Sequence, residues 1–173
     1  TGSNEPGRRW PMSSYGAIAR NLMQHGLRVV FIGSAEEKDE VEVIPGASSE
    51  KGIIDLTGKT SLPQLLDLLT HANLVISNDT GPAHLSIALS RPTVVIVGGG
   101  HFSSFVPYPK EVMPLDVRFV YKKLECYHCF WNCHKRSDKL QIFPCISAIE
   151  KDQVWFACLD LLELGSEDKL GSL

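Results

Sequence analysis

A chain of 173 residues, 43% hydrophobic and 21% charged, is long enough for one domain with a sizeable core. Its formal net charge of −3 argues against a nucleic-acid binder, which would be basic. No apolar run approaches the roughly 20 residues that cross a bilayer, and the polar opening "TGSNEPGRR" does not read as a signal peptide.

The predicted elements alternate along the chain. Residues 13–25 carry Ile18, Ala19, Leu22 and Met23 at helical spacing, and Gly26 follows as a stop. Residues 27–32, "LRVVFI", form a β-branched run ending in Gly33, hence a strand, and residues 53–56 predict a shorter one. Ser61 caps a helix with Pro63 in its first turn and Leu65, Leu66, Leu68 and Leu69 inside. A strand at 74–77, a helix at 82–90 and strands at 93–97 and 117–121 follow. A last helix runs from Ser147 to about residue 164, before a frayed polar tail, "GSEDKLGSL". Near-continuous apolar strands separated by helices predict an α/β fold, a mainly parallel sheet with helices on both faces.

The most polar segment lies between two apolar strands, at Asn78, Asp79, Thr80, Gly81, Pro82 and His84. In open parallel sheets, ligands sit beyond the carboxyl ends of the strands, and this turn lies at such an end. Pro82 suits the first helical residue, and Asp79 or Thr80 can cap the exposed amides. Gly81 lets a ligand approach the backbone. The helix start then offers N–H groups and partial positive charge, a natural seat for phosphate. The plainer alternative makes Asp79 a turn-former and His84 a hydrogen-bonded core histidine. An acidic residue past a strand often holds ribose hydroxyls in such folds. "GSAEEKDE" supplies Glu36 and Glu37, and spacing favours Glu37. The run "GGGHFSSF", residues 98–105, is a second loop at a strand end, but its glycines do not match a dinucleotide fingerprint, so no NAD site is expected.

The segment "NDTGPAHLSIALSRPTVVIVG" resembles the D-[TS]-G-x-x-H segment of family 9 glycosyltransferases, the ADP-heptose:lipopolysaccharide heptosyltransferases and their relatives. "TGSNEPGRRWP", residues 1–11, resembles that family's phosphate-binding loop, in which small polar residues precede a basic residue and a Trp-Pro pair. The resemblance covers most of the chain and implies a Rossmann-like domain, the C-terminal, donor-binding half of a GT-B glycosyltransferase, spanning residues 1–173. The N-terminal acceptor domain, which carries the general base in the family, has no counterpart here, and the strand that precedes the phosphate loop is missing from the expected sheet.

That resemblance implies roles. Thr1, Gly2 and Ser3 fall where the family places hydroxyls and amides on the donor diphosphate. Arg8 matches the basic residue two before the Trp and would neutralise the departing diphosphate without a metal, while Arg9 reads as surface. Asp79, Thr80 and Gly81 match the motif that approaches sugar and phosphates, and His84 matches its histidine. The catalytic candidates are therefore Arg8, Asp79 and His84; the donor-binding candidates are Thr1, Gly2, Ser3, Glu37, Thr80 and Gly81. The implied partners are a nucleotide-sugar donor, ADP-heptose in the first instance, and a lipopolysaccharide-core acceptor. The implied location is cytoplasmic, with peripheral attachment to the inner face of the inner membrane as a variant, and transfer needs no cofactor.

The cysteines pose a separate question. Cys126, Cys129, Cys133 and Cys145 are spaced C-x2-C-x3-C-x11-C in a loop at 126–145, with His128 and His134 as substitutes. Four soft ligands in one irregular loop suit a structural zinc, and an iron–sulfur cluster fits the spacing less well. The alternative is a set of reduced, partly buried thiols, and Cys158 sits at an apolar helical position. Two functions of different class remain: the donor half of a glycosyltransferase, or a non-catalytic nucleotide-binding or zinc-stabilised interaction module.

Overall fold

The computed structural model describes residues 5–37 and 52–162. Thr1, Gly2 and Ser3 lie outside the described residues, as does the tail at 165–173. The chain enters through a 3₁₀ turn, Pro6–Arg8, then helix α1, Met12–Gln24, and strand β1, Val29–Phe31. Strand β2, Ile53–Asp55, precedes helix α2, Leu62–Thr70. Strand β3, Val75–Asn78, helix α3, Gly81–Ala88, strand β4, Thr93–Ile96, and strand β5, Val117–Val120, follow. Two helices close the described chain: α4, Pro144–Ser147, and α5, Lys151–Leu162.

All described strand pairs are parallel. β3–β4–β5 form one sheet, with Val75 opposite Thr93 and Thr93 opposite Val117. β1 and β2 form a second, with Val29 opposite Ile53. The expected single sheet is therefore split. Among the described residues no strand pairs with both β1 and β3, and a groove of about 620 Å³ lies there, lined by Val30, Ile32, Leu69, Leu74 and Ile76 among others.

β4 is buried along its whole length. Its alternate side chains serve two cores, as the two-residue period of a strand requires. Val94 and Ile96 pack with Trp10, Ile18, Leu22, Val154 and Cys158 under α1 and α5. Val95 and Val97 pack with Ala83 of α3 and with Val106 and Val117 on the opposite face. Covering on both faces explains why this strand reads as a continuous apolar run.

Local chemistry sets the helix ends. The Ser61 backbone N–H donates to Gln64 Oε1 at 2.9 Å, part of a capping box that starts α2. α3 ends earlier than expected, because Ser90 takes a left-handed φ of 55°. The last helix does not start at Ser147. The chain breaks after α4 so that the Ile149 carbonyl can accept the Trp10 indole N–H at 3.0 Å, and the Glu150 N–H then finds Gln153 Oε1 at 3.1 Å. Cys145 accordingly belongs to α4 rather than to an irregular loop. No described helix is long and apolar enough to cross a membrane.

Candidate functional site

A pocket of about 300 Å³ opens at the carboxyl ends of β3 and β4. It brings together Arg8 from the entry turn, Asp79, Thr80, Gly81 and His84 from the β3–α3 turn, Gly98, His101 and Phe105 after β4, and Trp131 from the cysteine-rich loop. The Trp10 backbone N–H donates to Asn78 Oδ1 at 3.0 Å, which fastens the entry segment to the end of β3 across 68 positions of sequence. Trp10 is itself 2% exposed and stands edge-on to Tyr15. Burial of this indole anchors the entry segment that carries Arg8.

Asp79 is anchored by its own N–H, which donates to the Ile96 carbonyl at 3.0 Å. Its Oδ1 lies 3.2 Å from His84 Nε2, and His84 Nδ1 lies 3.0 Å from the Tyr108 hydroxyl. Burial pushes the Asp79 carboxyl above its ordinary value, against the opposing pull of His84, His101 and Arg8. Burial, and secondarily the Asp79 charge, also raises the Tyr108 phenol. Thr80 occupies the N-cap of α3 but makes no side-chain capping bond; its hydroxyl turns back to the Asn78 carbonyl at 3.2 Å. The expected capping of α3 by this side chain is thus not realised, and the positive end of the helix faces the pocket without it. A Cβ placed on Gly81 would meet nothing within 4 Å, so the space beside this backbone is open to a ligand.

Glu37 stands elsewhere. It does not line the pocket, is 4% exposed, and its Oε2 accepts from the Ser34 N–H at 2.7 Å and the Ser34 hydroxyl at 3.1 Å. As placed, it closes the turn after β1 and faces inward, while Glu36 is exposed.

The cysteine-rich loop lies over the segment 98–100. The His128 N–H donates to the Gly99 carbonyl at 2.8 Å and the Phe130 N–H to the Gly100 carbonyl at 3.0 Å. His128, Phe130 and Trp131 adopt left-handed φ values of 66°, 50° and 66°, a conformation costing of order 1 kcal/mol or more for each such side chain. All five cysteines are free. Burial raises the Cys145 thiol, with smaller contributions from Cys129, Cys126 and Cys133, against a hydrogen bond from the Gly99 N–H. No three His, Cys, Asp or Glu side chains among the described residues are grouped as a metal-ligand set. The zinc expectation at Cys126, Cys129, Cys133 and Cys145 gains no support from this geometry.

His101, Phe105 and Trp131 are pocket residues that no motif identified. The glycine run pointed to the first two by its place at a strand end. Trp131 gave no signal, because its position depends on how the loop folds back.

Parallel strands, helices on both faces and a pocket where a strand ends and a helix begins define an α/β domain of the type that seats phosphate-bearing ligands. The chain belongs to glycosyltransferase family 9 (heptosyltransferase), whose sequence model matches residues 1–134. It is 33% identical over 96 residues to lipooligosaccharide heptosyltransferase 2 of Haemophilus influenzae, a match covering 54% of this chain and 28% of that one. The fold superposes on E. coli ADP-heptose lps heptosyltransferase II with a TM-score of 0.71 at 23% identity, over 95% of this chain and 45% of that one. It also superposes on E. coli heptosyltransferase WaaC, solved with ADP, with a TM-score of 0.55 at 26% identity, over 69% and 35% of the two chains. The chain spans less than half the length of these relatives, and its fold is that of one part of a GT-B heptosyltransferase.

Proposed function

We propose that this chain is the donor-binding half of a glycosyltransferase that moves a sugar, heptose in the first instance, from an ADP-sugar to a lipopolysaccharide core or related glycan. The observation that carries the reading is the convergence of Arg8, Asp79 and His84, from segments about 70 positions apart, on one pocket at the carboxyl edge of the parallel sheet. The ADP held by the relative WaaC supports the choice of nucleotide.

The chemistry follows from the charges. As the bond between sugar and diphosphate breaks, negative charge grows on the leaving phosphate. Arg8 and the start of α3 supply positive potential there, so no metal is required for charge neutralisation. Asp79 would be repelled by a diphosphate if its charge faced it. Its raised proton affinity and its contact with His84 suit it instead to accept hydrogen bonds from sugar hydroxyls. Deprotonation of the acceptor hydroxyl needs a positioned base, which this reading assigns to the N-terminal acceptor domain of the whole enzyme. Thr1, Gly2 and Ser3 remain candidates for the diphosphate and Glu37 for the ribose. For Glu37 that role would require the carboxylate to leave Ser34.

Titration of ADP and ADP-heptose into the chain, followed by a transfer assay with a lipopolysaccharide-core acceptor, tests the reading. Saturable binding without transfer is expected. Arg8→Ala should weaken binding about 10- to 100-fold, as loss of a charge-assisted phosphate contact does. Asp79→Ala should also weaken it, and Arg9→Ala, outside the pocket lining, much less. Transfer by the chain alone would overturn the half-enzyme reading. A folded sample that binds no nucleotide would favour the interaction-module alternative.

A further inference from the structure

We propose that Trp131 is a positioning residue for Arg8, so that the cysteine-rich loop builds the anion site from the far side. The inference rests on the donor-site reading above and deepens it. The Arg8 guanidinium carbon lies 4.3 Å from the centre of the Trp131 ring. Arg8 Nε is buried and has no hydrogen-bond partner. A cation with one donor buried and unpaired is costly, and an indole face is the aromatic surface that offsets this best. Stacking occupies the flat face of the guanidinium and leaves its N–H edge for a bidentate contact with phosphate.

The loop is built to deliver that ring. The built Cβ of Gly98 would lie 2.5 Å from the Trp131 ring, and a Cβ on Gly100 would overlap the body of the indole. Two glycines therefore make the space that Trp131 fills, which gives the glycine run a reason other than a dinucleotide fingerprint. The backbone bonds from His128 and Phe130 to Gly99 and Gly100 hold the loop down on this run. On the other side the loop grips the entry turn. Arg136 Nη2 pairs with Glu5 Oε1 at 3.0 Å, its guanidinium lies 4.2 Å from the Phe143 ring centre, and the Phe143 N–H donates to the Gly7 carbonyl at 2.9 Å. Arg8 and Trp131 are thus fixed by the same clamp. The left-handed φ of Trp131 and Phe130 is the strained conformation that this delivery demands.

The test compares ADP affinity and the Arg8 side-chain Nε–H resonance in wild type, Trp131→Leu, Trp131→Phe, Arg8→Ala and the double variant Arg8→Ala/Trp131→Leu. In the wild type the indole ring current should displace the Arg8 signal. Trp131→Leu should return it toward the free-arginine position and weaken ADP binding about tenfold; Trp131→Phe should retain most of both. In the Arg8→Ala background, Trp131→Leu should change ADP affinity less than about twofold, because the ring acts through the cation. Gly100→Ala, which displaces the indole without deleting it, serves as the second route should Trp131→Leu fail to fold. An Arg8 resonance indifferent to Trp131→Leu, or equal losses of affinity with and without Arg8, overturns the inference. A folded wild type that binds no ADP defeats the donor reading instead, and the Arg8 resonance still decides the positioning role.

Discussion

Gly100→Ala is a severe test of the clamp, because the added atom is a single methyl group. Its Cβ would overlap Cγ, Cδ2 and Cε2 of Trp131. Those atoms are the body of a rigid ring system, so no small torsion at a chain end relieves the overlap. Overpacking of this kind costs about 1–3 kcal/mol. For a chain of 173 residues that corresponds to a fall in Tm of roughly 2–12 °C. The indole must move, and Arg8 loses its ring, so ADP affinity falls as well. Gly81→Ala provides the contrast. Its Cβ meets nothing within 4 Å, so stability should stay within about 0.5 kcal/mol of wild type while the methyl group intrudes on ligand space and weakens binding. Calorimetric melting and ADP titration of both variants separate the two effects. In Gly100→Ala/Trp131→Leu the overlap is gone, and the melting temperature should recover part of the loss seen in Gly100→Ala. A Gly100→Ala protein as stable and as tight-binding as wild type would refute the packing argument, as would a double variant whose losses simply add.

Two further predictions follow from titrating groups. Burial holds the Asp79 carboxyl above its ordinary 3.8, so the folded state binds this proton more tightly than the unfolded one. Stability linked to this group then falls as pH rises from 3.8 through the raised value and stays lower above it. Asp79→Asn should melt higher than wild type at neutral pH, and the difference should close as the pH is lowered; a variant less stable at neutral pH would contradict the assignment. Among the thiols, Cys158 is 0% exposed and burial pushes it up to about 12, and Cys145 is buried and raised. Iodoacetamide at neutral pH should modify Cys126, Cys129 and Cys133 first, with Cys145 and Cys158 protected until denaturant is added; early modification of Cys158, read by mass spectrometry, would contradict the packing of α5.

Local patterns determined most of the fold. The apolar run at β4, the Ser61 start of α2 and the Gly26 stop after α1 are written in nearest-neighbour chemistry, because each depends on backbone hydrogen bonds and side chains within one or two turns. The Asp79–His84 segment was legible for the same reason, since a strand end, a glycine and a helix start are contiguous in sequence. Arg8 was legible through its place before Trp10. Tertiary structure alone decided the rest. Glu37 places Oε2 on Ser34 while its buried Oε1 has no partner, and it lies away from the pocket lining, a placement that spacing alone did not show. The last helix breaks because the Trp10 indole needs the Ile149 carbonyl, a partner 139 positions away. Cys126, Cys129 and Cys133 lie in the loop while Cys145 is carried by α4 and accepts from the Gly99 N–H, and no metal-ligand group forms among the described residues. Trp131 reaches Arg8 only when the loop folds over glycines some thirty positions earlier and locks onto Gly7 and Glu5. Contacts of that range arise from packing and long-range hydrogen bonds, which leave no period or motif in the chain that makes them.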